Sequence, residues 1–172
     1  TAMTRLTTWK AQAVLGVGNV LYADFGGTAT GGRGLYKYEG GVWARINVND
    51  AQGMTAVGSD LYVDFDALGV FKYNGTSFAR VTTWNAQSLL GVGNVLYADF
   101  GGTATGGRGL YKYDAGVWTR INLNDVQGMT AVGSDLYVDF DALEGWRYNG
   151  RSSAEVAAWS AKTLLGVGNV LY

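Results

Sequence analysis

The chain has no cysteine, no histidine and no proline among its 172 residues. Without cysteine there are no disulfides and no thiolate nucleophile, and nothing is learned of the redox compartment. Without histidine the commonest general base and the commonest metal ligand are both gone. Average proline usage would place roughly eight or nine in a chain of this length. A proline-free ancestor copied several times accounts for that absence, and so does deliberate design. Charge of one sign is also lacking. Thirteen basic residues stand against 14 acidic ones, a net −1, so no strong field draws nucleic acid or an anionic membrane. No apolar run approaches the ~20 residues of a membrane span. Thr1-Ala2-Met3 has the pattern of a tag remnant, and no targeting signal or compartment is read from the chain.

What the chain has is repetition. Residues 82–156 restate residues 7–81, with 15 of the 75 aligned positions different. Each copy divides again, because Gly16-Val17-Gly18-Asn19-Val20-Leu21-Tyr22-Ala23-Asp24-Phe25 has a weaker echo in Ala56-Val57-Gly58-Ser59-Asp60-Leu61-Tyr62-Val63-Asp64-Phe65. The units run 7–46, 47–81, 82–121 and 122–156, and a fifth opens at 157. Periods of this size mean stacked supersecondary units that share a core with their neighbours. The chain reads as a single domain over 1–172, long enough to bury roughly 70% of its unfolded surface.

One unit shows the local structure. Gln87-Ser88-Leu89-Leu90-Gly91-Val92 is a short apolar run closed by the turn pair Gly93-Asn94. Val95-Leu96-Tyr97-Ala98-Asp99-Phe100 is rich in branched and aromatic residues and ends at Gly101-Gly102. A small-residue loop over 103–108 leads to Gly109-Leu110-Tyr111-Lys112-Tyr113, and Asp114-Ala115-Gly116 turns the chain into Val117-Trp118-Thr119-Arg120-Ile121. These four strands are a, b, c and d. The shorter units read the same way, with Tyr73-Asn74-Gly75 marking the c–d turn. No segment carries a sustained 3.6-residue apolar period, so essentially no helix is expected.

Four short antiparallel strands per 35–40 residues predict an all-β protein built as a β-propeller of four-stranded antiparallel blades. The pattern resembles the kelch repeat in Tyr22, Gly26-Gly27, Tyr36, Tyr38 and Trp43, and again in Tyr97, Gly101-Gly102, Tyr111, Tyr113 and Trp118. The shorter units depart from it, with Asp66-Ala67 or Asp141-Ala142 for the glycine pair and Phe78 or Ser153 for the Trp. Thr4-Arg5-Leu6 aligns with a d strand, and 157–172 supplies only a and b. The expectation is four complete blades and a composite fifth, 157–172 plus 4–6, closed by the two termini. The alternative is a homo-oligomer whose chains complete one another's open blade.

Propeller topology puts the b–c and d–a connections on one face. The longer units carry their extra residues in the b–c loops, 26–34 and 101–109, and a Trp in each preceding d–a segment: Trp9, Trp84 and Trp159. Loops carry function more often than scaffolds do, so this face is the candidate ligand face. The candidate contacts are Trp9, Trp84 and Trp159, with Asn85, Arg33, Arg108, Asn49 and Asn124 around them. The Trp rings have two readings, stacking on sugar or peptide and packing between blades. Trp43 and Trp118, inside strand d, read as structural. Arg33 and Arg108 read as carboxylate or phosphate binders, or as solvated loop residues.

Asp24, Asp64, Asp99 and Asp139 recur at one position of strand b, either as a cation ring or as holders of loop amides. Asp64-Phe65-Asp66 faintly resembles a calcium loop, but Ala67-Leu68-Gly69 supplies no further ligands. The glycine-rich 101–107 loop lacks the Lys-Ser/Thr ending of a phosphate loop. No metal, no cofactor and no catalytic residue is therefore assigned. Near-identical repeats present the same residues at every station, whereas catalysis needs groups in different roles. Equal sites suit multivalent recognition. The reading is a non-catalytic binding propeller for carbohydrate, by likeness to lectin-type propellers. The alternatives are a repeat scaffold whose property is folding and assembly, and a protein-binding module as the kelch resemblance implies.

Overall fold

The turn pairs determine where the chain reverses. At each a–b turn a glycine takes the left-handed conformation that a two-residue hairpin turn needs, as Gly93 does at φ 59°. A computed structural model describes residues 3–140, 143–157 and 164–172. Four four-stranded antiparallel sheets follow one another along the chain. Sheet I holds β1 (Ala13–Val17), β2 (Val20–Phe25), β3 (Gly34–Glu39) and β4 (Val42–Asn47). Sheet II holds β5 (Gly53–Val57), β6 (Asp60–Asp64), β7 (Val70–Tyr73) and β8 (Phe78–Arg80). Sheet III holds β9 (Ser88–Val92), β10 (Val95–Phe100), β11 (Gly109–Asp114) and β12 (Val117–Asn122). Sheet IV holds β13 (Val126–Val132), β14 (Asp135–Phe140), β15 (Glu144–Tyr148) and β16 (Ser153–Ala157). A two-stranded pair, β17 (Gly166–Val167) and β18 (Val170–Leu171), comes last. Among the described residues there is no α-helix, only a single 3-10 turn at Asp66–Leu68, and none is long and apolar enough to cross a membrane.

Within each sheet the strands pair in sequence order, a to b to c to d. The first strands of consecutive sheets, β1, β5, β9, β13 and β17, neighbour one another in turn. Strand b of sheets II and III is buried on both faces because a sheet packs on each side. Tyr22 and Leu35 of sheet I meet Leu61, Val63 and Phe65 of sheet II. Val57 and Val70 of sheet II meet Leu96, Phe100 and Tyr111 of sheet III. Tyr97 and Leu110 of sheet III meet Leu136, Val138 and Phe140 of sheet IV. Complete burial of a Leu or Phe side chain is worth about 1.5–3 kcal/mol, so these seams carry much of the stability.

Among the described residues no sheet packs on the outer face of sheet I, and that face differs accordingly. Ala23, Phe25, Ala29 and Tyr36 are covered there by Trp9 and Trp43. Ala11 is exposed where its copy Ala86 is buried, and Leu21 is half-buried where Leu96 has no exposure.

The expected d strand at 4–6 is not formed, and Leu6 is exposed. A d strand needs a c strand to pair with, and among the described residues β17–β18 is joined by no third strand. The indoles register the same fact. Trp118 Nε1 donates to the Val81 carbonyl at 3.3 Å, while Trp43 Nε1, whose matching partner would be Leu6, is buried without an acceptor.

Candidate functional site

The b–c loops and d–a segments meet on one face, tied together by hydrogen bonds. In sheet III the Thr103 hydroxyl donates to the Asn85 carbonyl at 2.7 Å, and Asn85 Nδ2 donates to Asp66 Oδ1 at 2.6 Å. In sheet I the Lys10 amide donates to Thr28 Oγ1 at 2.8 Å, and the Thr28 hydroxyl donates to the Lys10 carbonyl at 3.1 Å. The long loops are also anchored from below. Tyr36 and Tyr111 hydroxyls donate to the carbonyls of Gly32 and Gly107, each at 2.7 Å, and Arg45 and Arg120 donate to those of Gly31 and Gly106. Gly34 and Gly109 close the loops at φ 127° and 126°, where a Cβ would also collide with the Asn47 or Asn122 carbonyl. A glycine-rich loop is thereby held in one shape in both long repeats.

Trp84 is half-buried on a platform of three rings, with centroids 5.3 Å from Phe100, 5.6 Å from Tyr111 and 6.1 Å from Trp118. Trp9 repeats the arrangement on Phe25, Tyr36 and Trp43 at 5.4, 5.6 and 6.3 Å. Each ring thus packs against its own sheet and keeps part of its surface at the loop face. Asn85 follows Trp84 directly; the matching residue beside Trp9 is Lys10. Arg33 and Arg108 sit on exposed loop tips and reach Asp50 and Asp125 of the following d–a segments, at 3.7 and 3.4 Å. Asn49 and Asn124 each donate their Nδ2 and backbone amide to Asn47 or Asn122 Oδ1, which fixes the linker. Trp159 lies outside the described residues. The structure therefore brings together two stations, Trp9 with Lys10 and Thr28, and Trp84 with Asn85, Thr103 and Asp66.

The recurrent aspartates lie beneath this face, each almost fully buried. Burial pushes Asp24 up to about 6, with the Asp50 carboxylate adding to it and the Ala51 amide opposing. Asp64 rises to about 7, mainly through burial and partly offset by the Ala86 amide, and Asp99 to about 6 through burial and then Asp125. The opposing amides belong to the segments that lead into the next sheet, so these carboxyls face the seams between consecutive sheets. Among the described residues no group of three potential ligands stands together as a metal site.

Sequence reasoning missed the partners rather than the positions. Asp66, Asp50 and Asp125 bind the very Asn and Arg residues chosen as ligand contacts. The shared spacing of Arg33 to Asp50 and Arg108 to Asp125 was the available signal. Also missed were the tyrosines of strands b and c, which pair across each seam: Tyr22 with Tyr73, Tyr62 with Tyr113, and Tyr97 with Tyr148.

No family model and no curated protein matches the chain. Among solved structures, an extracellular domain from B. thetaiotaomicron is similar at 11% identity with a TM-score of 0.43. The match covers 91% of this chain and 30% of that one, so the chain spans less than a third of that structure's length.

Proposed function

We propose that the sheets are blades of a β-propeller and that its long-loop face binds carbohydrate at equivalent stations, without catalysis. The neighbouring first strands support the propeller, because blades meet a common axis through their innermost strands. In that reading β17–β18 opens a fifth blade. The segment 4–6 or a second chain would pair with that blade to close the ring.

One observation carries the binding reading. An aromatic face half-exposed at Trp84, and again at Trp9, borders a loop whose shape is locked by hydrogen bonds. Sugar rings present apolar C–H faces to aromatic rings and hydroxyls to fixed amides, and a preorganised loop avoids the entropy of ordering on binding. Two copies on one face raise avidity through effective concentration. Catalysis fits poorly, since the carboxyls with raised pKa lie buried below the loops and recur in identical roles.

A glycan array with the wild-type chain and the Trp84→Ala, Trp9→Ala double variant tests this. Loss of an aromatic anchor costs about 2 kcal/mol, or roughly 30-fold in affinity. Binding that persists in the double variant while the melting temperature falls sharply assigns both rings to packing instead.

A further inference from the structure

A cavity of about 400 Å³ opens on the opposite face, between sheets II and III, among the a–b and c–d turns. Its polar lining converges from two sheets: Asp60, Tyr62 and Lys72 from sheet II, and Asn94 and Tyr113 from sheet III. Register explains the cluster. Tyr62 lies opposite Lys72 in the β6–β7 ladder, and Tyr113 is brought beside Tyr62 by the packing of the sheets, with ring centroids 6.3 Å apart.

This seam differs chemically from the seams on either side. Where sheets II and IV supply the strand-c tyrosine, its hydroxyl is consumed by its own turn: Tyr73 donates to the Gly75 carbonyl at 2.7 Å and Tyr148 to that of Gly150 at 2.8 Å. Sheet III turns through the tighter Asp114-Ala115-Gly116, which offers Tyr113 no such carbonyl. Neither Tyr113 nor Tyr62 hydroxyl bonds to a protein group among the described residues. Both hydroxyls stay open to the cavity rather than sealed in the core, so each is free to exchange water for a ligand hydroxyl.

We infer that this cavity between sheets II and III is a second binding site, for a neutral polyhydroxylated molecule of monosaccharide class. The charge balance selects neutrality. Lys72 Nζ and Asp60 Oδ2 are 2.7 Å apart, so an anion must compete with the aspartate and a cation with the lysine. The remaining groups, two phenols and the Asn94 amide, each donate and accept, matching vicinal hydroxyls that do both. The tyrosine rings and Val57 supply apolar surface for the ring carbons. The size lies within the range of small-molecule sites. The site is independent of the loop face, which is on the other side of the same sheets.

The test is an amide NMR titration of the whole chain with glucose, galactose, mannose and N-acetylglucosamine, and with inorganic phosphate and calcium as charged probes. Saturable shifts at Ser59, Asn94 and Gly116 with at least one sugar are expected. The Tyr62→Phe, Tyr113→Phe double variant keeps both rings and removes only the hydroxyls. It should weaken that binding about tenfold or more at unchanged melting temperature. Trp84→Ala should leave these shifts intact, which separates this site from the loop face. The inference is overturned if no sugar gives saturable shifts there, if phosphate or calcium binds there in preference, or if the double variant titrates like the wild type.

Discussion

Gly91 of β9 is pressed against Ala56 of β5. Its amide donates to Thr55 Oγ1 at 2.8 Å, and a Cβ placed on it would overlap the Ala56 carbonyl oxygen. Gly166 stands in the same relation to sheet IV, donating to Thr130 Oγ1 at 3.0 Å with a Cβ that would strike the Ala131 carbonyl. Gly16, the third copy, has nothing within 4 Å of its Cβ position. One sequence position is therefore a packing constraint in two repeats and free in the first.

Alanine at the three glycines should separate these environments. Gly91→Ala forces two backbones apart at a closed seam, and overpacking of that kind costs about 1–3 kcal/mol. Gly16→Ala should change the melting temperature by a degree or two at most, or raise it slightly, since a strand interior gains from losing glycine. Gly166→Ala should loosen only β17–β18, seen as faster amide exchange there with the main transition unmoved. Equal effects at Gly16 and Gly91 in thermal melts would mean that sheet I is covered in solution.

The indoles make a second comparison. Trp118 Nε1 reaches the Val81 carbonyl, whereas Trp43 Nε1 is buried without an acceptor. Replacing Trp by Phe loses ring area in both cases but a hydrogen bond only in the first. Trp118→Phe should therefore be the more destabilising by about 1 kcal/mol in urea unfolding. A larger loss at Trp43 would show that 4–6 swings in to supply the missing carbonyl.

Strands were legible because the punctuation is local. Gly93-Asn94 leads into β10 and Asp114-Ala115-Gly116 into β12, and the expected 117–121 strand differs from the observed Val117–Asn122 by one residue. The shared face of the long loops was legible from topology and loop length alone. The failures concern partners distant in sequence. Nothing in the local pattern around Asn85 identifies Asp66 as its acceptor, 19 positions away. Alignment made 4–6 a d strand, but a strand is defined by its neighbour, and among the described residues that segment has none. The short connection after β6 is a 3-10 turn begun by Asp66 at φ 55°, an uncommon conformation for a residue with a side chain. The tyrosine pairs escaped because aromatic residues in alternating strands read equally well as core.

The buried aspartates give the chain a distinctive dependence on pH. In the unfolded chain each titrates near its ordinary value of 3.8, while in the folded protein Asp24 and Asp99 titrate at about 6 and Asp64 at about 7. Between those values the native state holds protons that the unfolded state has released, so unfolding liberates protons. Their contribution to stability is fully present below pH ~4 and falls as pH rises through 6 to 7. All three groups are shifted in the same direction, so their contributions to the pH dependence add. The melting temperature should be higher near pH 5 than near pH 8, opposite to a protein whose carboxylates are held in ion pairs. Asp64→Asn keeps the shape of the neutral acid without the proton to lose, and should flatten the decline between pH 6 and 8. A melting temperature that rises from pH 5 to pH 8 would mean that amides of the adjoining segments, such as Ala86, hold these groups as carboxylates.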